Sequence, residues 1–299
     1  MPAEKVVLIT GCSSGFGRVT AETLARANYN VFAGMRDVKG RNASNAREVQ
    51  ALGERESLPL SPMELDVTDD ASVDRAVAEV MRAAGQIDVL VNNAGLTIRG
   101  LAEAVTVEQT RQIFETNVFA VHRMNRAVLP HMRKRGSGLL IHISSQAGRV
   151  VLPGLGMYGA SKAALEALVE TYHYELAGQG IDCVLVQPGA YATAIGQNAH
   201  KAADEPREES YGPGSEIPKT LVANLGTRRD PQEVADAILR LIETPAGDRP
   251  LRTDVGVTGD FVASLNKFTD QMQESVLEIF GLSPLTKFQS RAGVRGSSN

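Results

Sequence analysis

Short apolar runs alternate with longer segments of helical periodicity along most of the chain. Seven predicted strands share a continuous apolar character with little polar alternation: Val6–Thr10, Val31–Gly34, Met63–Asp66, Val89–Val91, Leu139–Ser144, Val184–Gln187 and Leu251–Val255. Such runs are typical of strands buried on both faces of a parallel sheet. Between them, Ala71–Ala84, Glu108–Arg133 and Gly159–Ala177 are long enough for helices. The alternation predicts an α/β fold with a doubly wound parallel sheet of about seven strands.

Two regions depart from this alternation. The segment Ala199–Pro218 is polar and rich in Glu, Pro and Gly, so we expect a mobile substrate lid at about residues 190–225. Near the C-terminus, apolar residues at spacings of three and four predict an amphipathic helical extension over 261–289. These residues are Phe261, Leu265, Phe268, Met272, Val276 and Ile279. The interpretation is a single domain over 1–260, this extension, and a disordered tail over 290–299.

Composition and charge narrow the classes of function. The net charge of −4 comes without clustered Lys or Arg, which argues against a nucleic-acid partner. The two cysteines, Cys12 and Cys183, imply no disulfide framework. The apolar run Val6–Ile9 is too short for a signal peptide, and no run reaches the roughly 18 residues of a membrane span. We therefore expect a cytoplasmic protein without a membrane span.

Two other kinds of site are disfavoured by motif. The five histidines lack metal-ligand spacing, so no metal site is expected. The G-x-S-x-G motif of a serine hydrolase is absent from the sequence.

A glycine-rich segment follows the first predicted strand and precedes a helix. It runs Thr10-Gly11-Cys12-Ser13-Ser14-Gly15-Phe16-Gly17. Glycines let the chain turn tightly and let backbone N–H groups approach a pyrophosphate. The helix N-terminus adds the positive end of its dipole. Taken alone, the loop is also compatible with a plain strand-to-helix turn, but its place after the first strand favours dinucleotide binding. The Cys12 thiol is either a packing residue, which we favour, or a reactive group near the helix N-terminus.

Further short motifs follow this loop in order. They are Asn92-Asn93-Ala94-Gly95, Asn117, Ser145, Tyr158-Gly-Ala-Ser161-Lys162 and Pro188-Gly189. Together with the TGxxxGxG spacing, they resemble the short-chain dehydrogenase/reductase family over roughly Lys5 to Val255. The glycine loop and the Val-Phe-Ala-Gly-Met-Arg-Asp stretch are most similar to the branch that contains 17β-hydroxysteroid and retinol dehydrogenases. The resemblance implies a Rossmann fold and an oxidoreductase that interconverts an alcohol and a carbonyl with a nicotinamide dinucleotide.

The pair Tyr158 and Lys162 carries the expected proton chemistry. Carbonyl reduction needs a hydride on carbon and a proton on oxygen, and only the hydride comes from the cofactor. The four-residue spacing puts both side chains on one helix face, where an ammonium lowers a tyrosine pKa. A Tyr-x-x-x-Lys pair also occurs as a solvated pair on helix surfaces. Here the small residues Gly156, Gly159 and Ser161 favour close approach of a ligand or another segment.

The resemblance assigns the remaining catalytic roles. Ser145 polarises the substrate carbonyl, and the family's serine-to-tyrosine spacing selects it over Ser144, although both are good turn formers. Asn117 supports a water that relays protons. Lys162 lowers the tyrosine pKa and also binds the nicotinamide ribose.

The resemblance also implies a set of cofactor contacts. Asp66 is expected at the adenine, although it could equally cap the following helix. The turn from Asn92 to Gly95 is expected near the adenine ribose, and the segment after the sixth strand near the carboxamide. The full set is Gly11, Ser13, Ser14, Gly15, Phe16, Gly17, Arg36, Asp66, Val67, Asn93, Ala94, Gly95, Tyr158, Lys162, Pro188, Gly189 and Thr193.

The end of the second strand predicts NADP(H) as cofactor, with NAD possible. NAD-preferring proteins usually carry an acidic residue there, and this chain has Met35. Arg36 can pair with a 2′-phosphate. Asp37 would bond a ribose if the register slipped, and Ser14 stands where many NADP-preferring relatives carry a basic residue.

Loop positions also suggest the substrate and the assembly. The expected pocket is mostly apolar and favours an apolar ketone or alcohol: Leu96, Ala147, Leu152, Leu155, Ala190, Tyr191 and Ile195. The helices Glu108–Arg133 and Gly159–Ala177 are apolar on more than one face, so we expect a homodimer or homotetramer. The C-terminal helix either covers the active site or adds to that interface. A dinucleotide-sensing regulator is the alternative function, but it would be expected to lose Tyr158 or Lys162; an epimerase-type relative fits the glycine spacing less well.

Overall fold

Nine strands are present in the computed structural model, which describes residues 5–191, 199–224, 229–256 and 259–289. In chain order they are β1 Val6–Ile9, β2 Asn30–Met35, β3 Leu60–Glu64, β4 Val89–Asn92, β5 Ile98–Arg99, β6 Gly138–Ile143, β7 Ile181–Pro188, β8 His200–Lys201 and β9 Arg252–Val255. Seven of them form one parallel sheet in the order β3-β2-β1-β4-β6-β7-β9. The predicted doubly wound parallel sheet of about seven strands is confirmed.

Helices connect these strands on both faces of the sheet. They are α1 Gly15–Arg26, α2 Ala43–Glu56, α3 Asp70–Ala84, α4 Val107–Phe114, α5 Ala120–Arg135, α6 Gly156–Ala177, α7 Glu205–Glu209, α8 Ile217–Asn224, α9 Gln232–Glu243 and α10 Gly259–Ile279. A π-helical turn, Glu115–Phe119, joins α4 to α5. The predicted helix Glu108–Arg133 is therefore one continuous element interrupted by this wider turn. None of the helices in the described ranges has both the length and the apolar content needed to cross a bilayer.

Two apolar layers cover the sheet. On one face, side chains from α3, α5 and α6, such as Val80 and Met124, pack with Leu8 of β1. On the other, side chains from α1, α2 and α9, such as Leu24, pack with Val7 and Ile9. Adjacent residues of β1 thus enter opposite layers, since successive side chains on a strand point to opposite faces. This burial on both faces explains why the strands are continuous apolar runs.

The strand order opens a crevice at the carboxyl edge of the sheet. β1 pairs with β2 on one side and β4 on the other, so the connections on its two sides run in opposite directions. At such a switch point the loops leaving adjacent strands diverge, which creates the usual ligand crevice of an open α/β sheet. The loops after β1, β4, β6 and β7 all end at this edge, which brings the sequence motifs together.

The predicted lid segment contains regular structure. β8 pairs with β5, and the His200 N–H donates to the Thr97 carbonyl at 3.0 Å. Ala202 is buried against Ile98 and Leu101 in a small separate apolar cluster. Strands of two residues are too short for a periodicity signal, so neither β5 nor β8 was predicted. The segment thus shares a core with the main domain. Its mobility and the disorder of the tail, which lies outside the described residues, stay predictions.

Candidate active site

The glycine loop is fixed to the turn after β4 by close backbone packing. The Asn93 side-chain amide donates to the carbonyls of Thr10 at 2.8 Å and Gly11 at 3.1 Å. The Thr10 hydroxyl accepts from the N–H groups of Asn93 and Ala94. A Cβ at Gly17 would lie 2.4 Å from the Asn93 amide nitrogen and 2.4 Å from the Gly11 carbonyl oxygen. Only glycine fits at this position, because any Cβ would overlap these two groups. α1 can therefore begin close against the loop.

The N-terminus of α1 suits a pyrophosphate. Ser14 occupies the N-cap position but makes no side-chain capping bond. The first-turn N–H groups of any helix lack intrahelical acceptors. In α1, no side chain of the described residues accepts from them. Gly11 and Gly15 both have positive φ, +73° and +58°, a conformation that glycine adopts without strain. The donor set of this loop therefore fits a dinucleotide phosphate.

The buried side chains of this region have other tasks. The Asn92 amide donates to Asn125 in the core at 2.9 Å, so it does not face the crevice, and Asn93 makes the contacts with the loop. Cys12 is fully buried, its thiol donates to the Ile9 carbonyl, and burial raises its pKa. This confirms the packing role favoured for Cys12.

An open cavity follows β2 and β3. Two of its lining side chains, Arg36 and Lys39, are basic. The full lining is Arg36, Asp37, Val38, Lys39, Glu64 and Asp66. Arg36 is exposed, and no hydrogen bond or ion pair holds its side chain to any described residue. The Asp37 carboxylate accepts from the Arg41 N–H at 2.7 Å, and the Glu64 carboxylate accepts from the N–H groups of Asp37 and Val38. Both carboxylates are thus engaged by backbone N–H groups of the loop after β2.

Asp66 forms a local turn at the same edge. Its carboxylate accepts from the N–H and the hydroxyl of Thr68 at 2.9 and 2.7 Å. The N-cap of α3 is Asp69, which accepts from the Ala71 N–H. The capping alternative for Asp66 is therefore wrong.

Asn117 lies inside the π-helical turn and is 1% exposed. Its side-chain amide exchanges two hydrogen bonds with the backbone of Leu96, at 2.9 and 3.0 Å. It also donates to the Ser161 hydroxyl at 3.0 Å. π-helical turns inside α-helices are frequently found at functional sites. Here the π-helical turn connects the loop after β4 to helix α6. Its contact on α6 is Ser161, the residue before Lys162.

The phenol of Tyr158 meets two hydroxyl groups. The side chains of Ser145 and Thr97 lie beside it and act to lower its pKa. The Ser145 hydroxyl also accepts from the Ala147 N–H at 3.1 Å, which holds the loop after β6 in place. A Cβ on Gly159 would lie 3.0 Å from the Ala147 carbonyl, so the glycine next to Tyr158 permits this approach. The close approach expected from the small residues of α6 is present.

Lys162 is buried behind Tyr158. Its ammonium donates to the Ile143 carbonyl at 2.8 Å and lies 5.8 Å from the centroid of the Tyr158 ring. Burial lowers the pKa of Lys162 to about 8, while the negative charge of Glu166 acts to raise it. An ideal Cβ on Gly95 would lie 3.8 Å from the Lys162 ammonium and 3.3 Å from the Asn117 side-chain oxygen. The two polar groups therefore border the same space.

The direction of the Tyr158 pKa differs from the sequence-based expectation. Loss of water around the phenol raises this pKa, and the side chains of Ser145 and Thr97 only partly offset that effect. The expected lowering by Lys162 is wrong for the protein alone, because the ammonium points to the Ile143 carbonyl rather than to the phenol oxygen. The phenol therefore holds its proton at neutral pH.

A buried carboxylate, that of Glu166, interacts with the charge of Lys162 and was missed by the sequence interpretation. Glu166 is 2% exposed and accepts from the Ser144 hydroxyl at 2.7 Å and the Gln187 amide at 2.9 Å. Arg149 pairs with it at 3.7 Å. Thr97 was missed as well, and so was Lys39. A four-residue spacing after Lys162 was the available signal for Glu166.

The expected substrate-pocket residues divide into separate groups. Leu96 packs with Tyr158 in the small apolar cluster that contains Ile98. Ala147 and Leu155 are buried close to α6, at 8% exposure each, and Leu152 and Ala190 are partly exposed. Tyr191 instead packs edge-on against Phe16 at 5.4 Å and donates to Glu233, so these contacts are on the glycine-loop side. Thr193 and Ile195 lie outside the described residues.

The chain is similar to known proteins over most of its length. A family model described as short chain dehydrogenase matches residues 5–204. The uncharacterized oxidoreductase YusZ of Bacillus subtilis is 37% identical, over 80% of this chain and 84% of that protein. The 3-ketodihydrosphingosine reductase of Bacteroides thetaiotaomicron is 33% identical, over 92% and 97%. Retinol dehydrogenase 8 of Homo sapiens is 32% identical, over 85% and 82%.

Solved structures agree with these matches. A short-chain dehydrogenase from Streptomyces avermitilis superposes with a TM-score of 0.74 at 33% identity and covers 94% of this chain and 98% of its own. An alcohol dehydrogenase from the archaeon Thermococcus sibiricus, complexed with 5-hydroxy-NADP, has a TM-score of 0.67 at 28% identity and covers 84% and 96%. The sheet order, the dinucleotide-type crevice and these matches lead to one conclusion: the chain belongs to the short-chain dehydrogenase family and is an oxidoreductase with an NAD(P)-binding Rossmann fold.

Proposed function

We propose that this oxidoreductase interconverts a secondary alcohol and a ketone, or an aldehyde, on an apolar substrate with NADP(H). The observation that carries the proposal is the contact between the Tyr158 phenol and the Ser145 hydroxyl, with Lys162 and Asn117 buried behind it. A regulatory protein with the same fold would not need this set. The dinucleotide, when bound at the glycine loop, supplies or accepts the hydride.

The residues of this chain then have distinct tasks in carbonyl reduction. Tyr158 donates its proton to the carbonyl oxygen as the alcohol forms, and its raised pKa suits a group that must arrive protonated. Ser145 donates a hydrogen bond to the same oxygen, where negative charge develops. The Lys162 ammonium stabilises the phenolate left after proton transfer and binds the nicotinamide ribose. Alcohol oxidation uses the same groups in reverse.

Reprotonation of Tyr158 needs a path to solvent. Asn117 and Lys162 border one polar space beside Gly95, and we propose that a water there relays the proton. The proposed role of Asn117 is to keep the walls of this space in place, because its side-chain amide is hydrogen-bonded to Leu96 and Ser161.

The cofactor preference is proposed for NADP(H) over NAD(H). The side chain of Arg36 has no hydrogen-bond or ion-pair partner among the described residues, and Lys39 adds a second positive charge to the same cavity. Asp37 and Glu64 accept hydrogen bonds from backbone N–H groups of the loop after β2 and therefore do not compete for a ribose. A 2′-phosphate would meet the guanidinium of Arg36 as a charge-assisted partner.

Dissociation constants for both cofactors test this preference. Arg36→Ala is expected to weaken NADP binding by about 1.5–3 kcal/mol, the range for a hydrogen bond to a charged group, and to leave NAD binding nearly unchanged. Arg41→Ala, an exposed cation of the same loop, is the matched control and should change neither value. A parent protein that binds NAD more tightly, or an Arg36→Ala variant that weakens both cofactors equally, contradicts the proposal.

The substrate is proposed to be an apolar ketone or alcohol. Tyr158 belongs to a cluster of aliphatic and aromatic side chains that includes Leu96, Phe114 and Met157. Two relatives are named for lipid-like substrates, a ketosphingoid base and retinol. The test is a panel of ketones and aldehydes of increasing chain length, followed by NADPH absorbance. Higher kcat/KM for short polar carbonyls than for long apolar ones would overturn this choice of class.

The segment over residues 190–225 is proposed to close over the substrate. Its described part is attached by backbone hydrogen bonds, such as that between the Asp204 N–H and the Ala104 carbonyl at 3.1 Å, and by exposed polar side-chain contacts, such as the Arg207–Glu103 ion pair. Limited proteolysis with and without both ligands tests closure. Protection should appear only with substrate and cofactor together, and equal cleavage in all samples would refute a lid.

A homodimer or homotetramer is proposed through the outer faces of α5 and α6. Phe119, at the start of this surface, is 53% exposed. Light scattering at micromolar concentration measures the mass, and a value of one chain, 32.0 kDa, would contradict the proposal.

A further inference from the structure

Helix α10 is bound to the domain through its more polar face. The Asn266 amide donates to the Gln187 side chain at 2.7 Å, and the Arg149 guanidinium donates to the Thr269 hydroxyl at 2.6 Å. Asp270 forms an ion pair with Arg252. After the helix, the Gln289 N–H donates to the Ala177 carbonyl at 3.0 Å, so the extension is attached at both ends. These contacts fix which side of α10 faces solvent.

The apolar stripe of α10 therefore points outward. We call it the outer stripe: Phe261, Leu265, Phe268, Met272, Val276 and Ile279. Its side chains are exposed by 83%, 37%, 60%, 54%, 41% and 78%, respectively. An amphipathic helix on a monomer normally buries its apolar side. Here Val262 and Leu277 are buried against the domain, but the larger apolar stripe is exposed.

The exposed area is in the range of a specific interface. Six large side chains at these exposures offer roughly 600 Å² of apolar surface, if a fully exposed aromatic side chain presents about 200 Å². Phe280 and Leu285, which follow the helix, are also exposed, by 72% and 70%. A standard protein interface buries about 800 Å² per partner, and the largest patch of a typical monomer is about 300–600 Å².

We propose that the outer stripe binds the outer stripe of a second copy, with the two helices antiparallel about a two-fold axis near Asp270. The order of the stripe is nearly the same in both directions from this residue. Antiparallel pairing places Phe261 opposite Ile279 of the second copy, and Phe268 opposite its Met272. Leu265 then lies opposite Val276 of the second copy. A two-fold interface requires such self-complementarity, because the same patch serves on both sides.

Two other occupants fit less well. A lipid surface usually selects an apolar stripe flanked by Lys and Arg. The exposed flank of α10 carries Glu274 and Glu278 against one cation, Lys267. The last nine residues of the chain, RAGVRGSSN after Ser290, contain one large apolar residue and cannot cover a stripe of six.

The mass of the assembly tests the interface. Phe268→Glu places a carboxylate in the centre of the stripe and is expected to halve the mass measured by light scattering. Halving applies whether or not α5 and α6 form another interface. Lys267→Glu, at an exposed neighbouring position outside the stripe, is the control and should keep the parent mass. A parent of 32.0 kDa, or equal masses for the parent and Phe268→Glu, overturns the proposal.

Chemical cross-linking tests the antiparallel direction independently of that variant. Gln271→Cys places thiols of two copies close to the axis, within reach of a short bis-maleimide. Glu278→Cys places them roughly 24 Å apart in the antiparallel pair, at 1.5 Å rise per residue, but side by side in a parallel pair. The native Cys12 and Cys183 are buried and give a low background. A covalent dimer from Gln271→Cys alone supports the proposal, and one from Glu278→Cys contradicts it.

Vesicle flotation tests the remaining alternative, in which the outer stripe binds a lipid surface instead of a second copy. The parent protein should stay unbound to neutral phosphatidylcholine vesicles in its paired form. Flotation of the parent that is lost in Phe268→Glu, with no change in mass, would assign the outer stripe to a lipid surface and overturn self-pairing.

Discussion

The catalytic cluster and helix α10 show opposite relations between polarity and burial. Around Tyr158, polar side chains are buried, and Lys162, Asn117 and Glu166 each have named hydrogen-bond or ion-pair partners. On α10 the six apolar side chains of the outer stripe are exposed, and the side that contacts the domain is mostly polar, with Val262 and Leu277 as buried apolar residues. Burial of a polar group is tolerated when it has partners: Glu166 Oε1 accepts two hydrogen bonds, and its Oε2 is balanced by the charge of Arg149 rather than by a hydrogen bond from the described residues.

The two regions are also connected. Gln187 donates to Glu166 and accepts from Asn266 of α10, so one side chain joins the carboxylate under Lys162 to the C-terminal helix. Polar side chains at the ends of β7 and β9 need partners, and the polar face of α10 supplies them. The comparison teaches that these partners, rather than the apolar stripe, selected the orientation of the helix.

Removal of the Tyr158 hydroxyl is expected to have the largest effect. Tyr158→Phe should lower kcat by about 10²–10⁴-fold, the contribution of a positioned general acid, while cofactor affinity stays close to that of the parent. Tyr172→Phe, on the same helix with its hydroxyl on His122, is the control. Steady-state kinetics and cofactor titration give both values. A near-parental rate for Tyr158→Phe would remove this residue from the mechanism.

Two methionines compare burial in the domain with exposure on α10. Met124 is fully buried and Met272 is 54% exposed. Met124→Ala should lower the free energy of unfolding by about 2–5 kcal/mol, the usual result for a buried Met→Ala change. Met272→Ala should change it by less than about 0.5 kcal/mol in protein diluted below the association range. Denaturant titration measures both, and equal losses would mean that the outer stripe is buried within one chain.

Lys162→Ala is expected to act on both binding and rate. Loss of its ammonium should weaken cofactor binding by about 1.5–3 kcal/mol, since a charged donor to the ribose disappears. The rate should fall as well, because nothing then stabilises the phenolate. Cofactor titration separates the two effects. Unchanged affinity would restrict Lys162 to the proton chemistry.

Glu166→Gln should give the smallest change and a specific one. Three cations face the carboxylate: Lys162 from α6, Arg149 from the turn after β6 and Arg252 from β9. The pKa of Lys162 is about 8: burial lowers it, and the negative charge of Glu166 acts in the opposite direction and raises it. Without that charge, the ammonium loses its proton at lower pH. The alkaline fall of kcat/KM for carbonyl reduction should therefore move to lower pH.

The pH profile distinguishes this effect from a structural one. Glutamine keeps an oxygen that accepts from Ser144 and Gln187, so the hydrogen bonds remain. A uniformly lower rate with an unchanged profile would show that Glu166 acts only by packing.

The sequence by itself determined the sheet, the crevice and the residues that meet there. The strands are continuous apolar runs because both faces are covered, and that property is local and readable. The TGxxxGxG loop and the Tyr-x-x-x-Lys spacing depend on steric requirements of one turn and one helix face, as Gly17 and Gly159 show. Such short-range requirements leave a sequence signal.

Only the tertiary structure decided the rest. Burial raised the pKa of Tyr158, and Lys162 was drawn to the Ile143 carbonyl, because desolvation and partners depend on the whole fold. Glu166 and Thr97 entered the site from positions with no motif. The outer stripe of α10 was predicted as a helix face, but periodicity gives a face and not its direction. Its direction came from buried polar groups at Gln187 and Arg252, which lie far away in the chain.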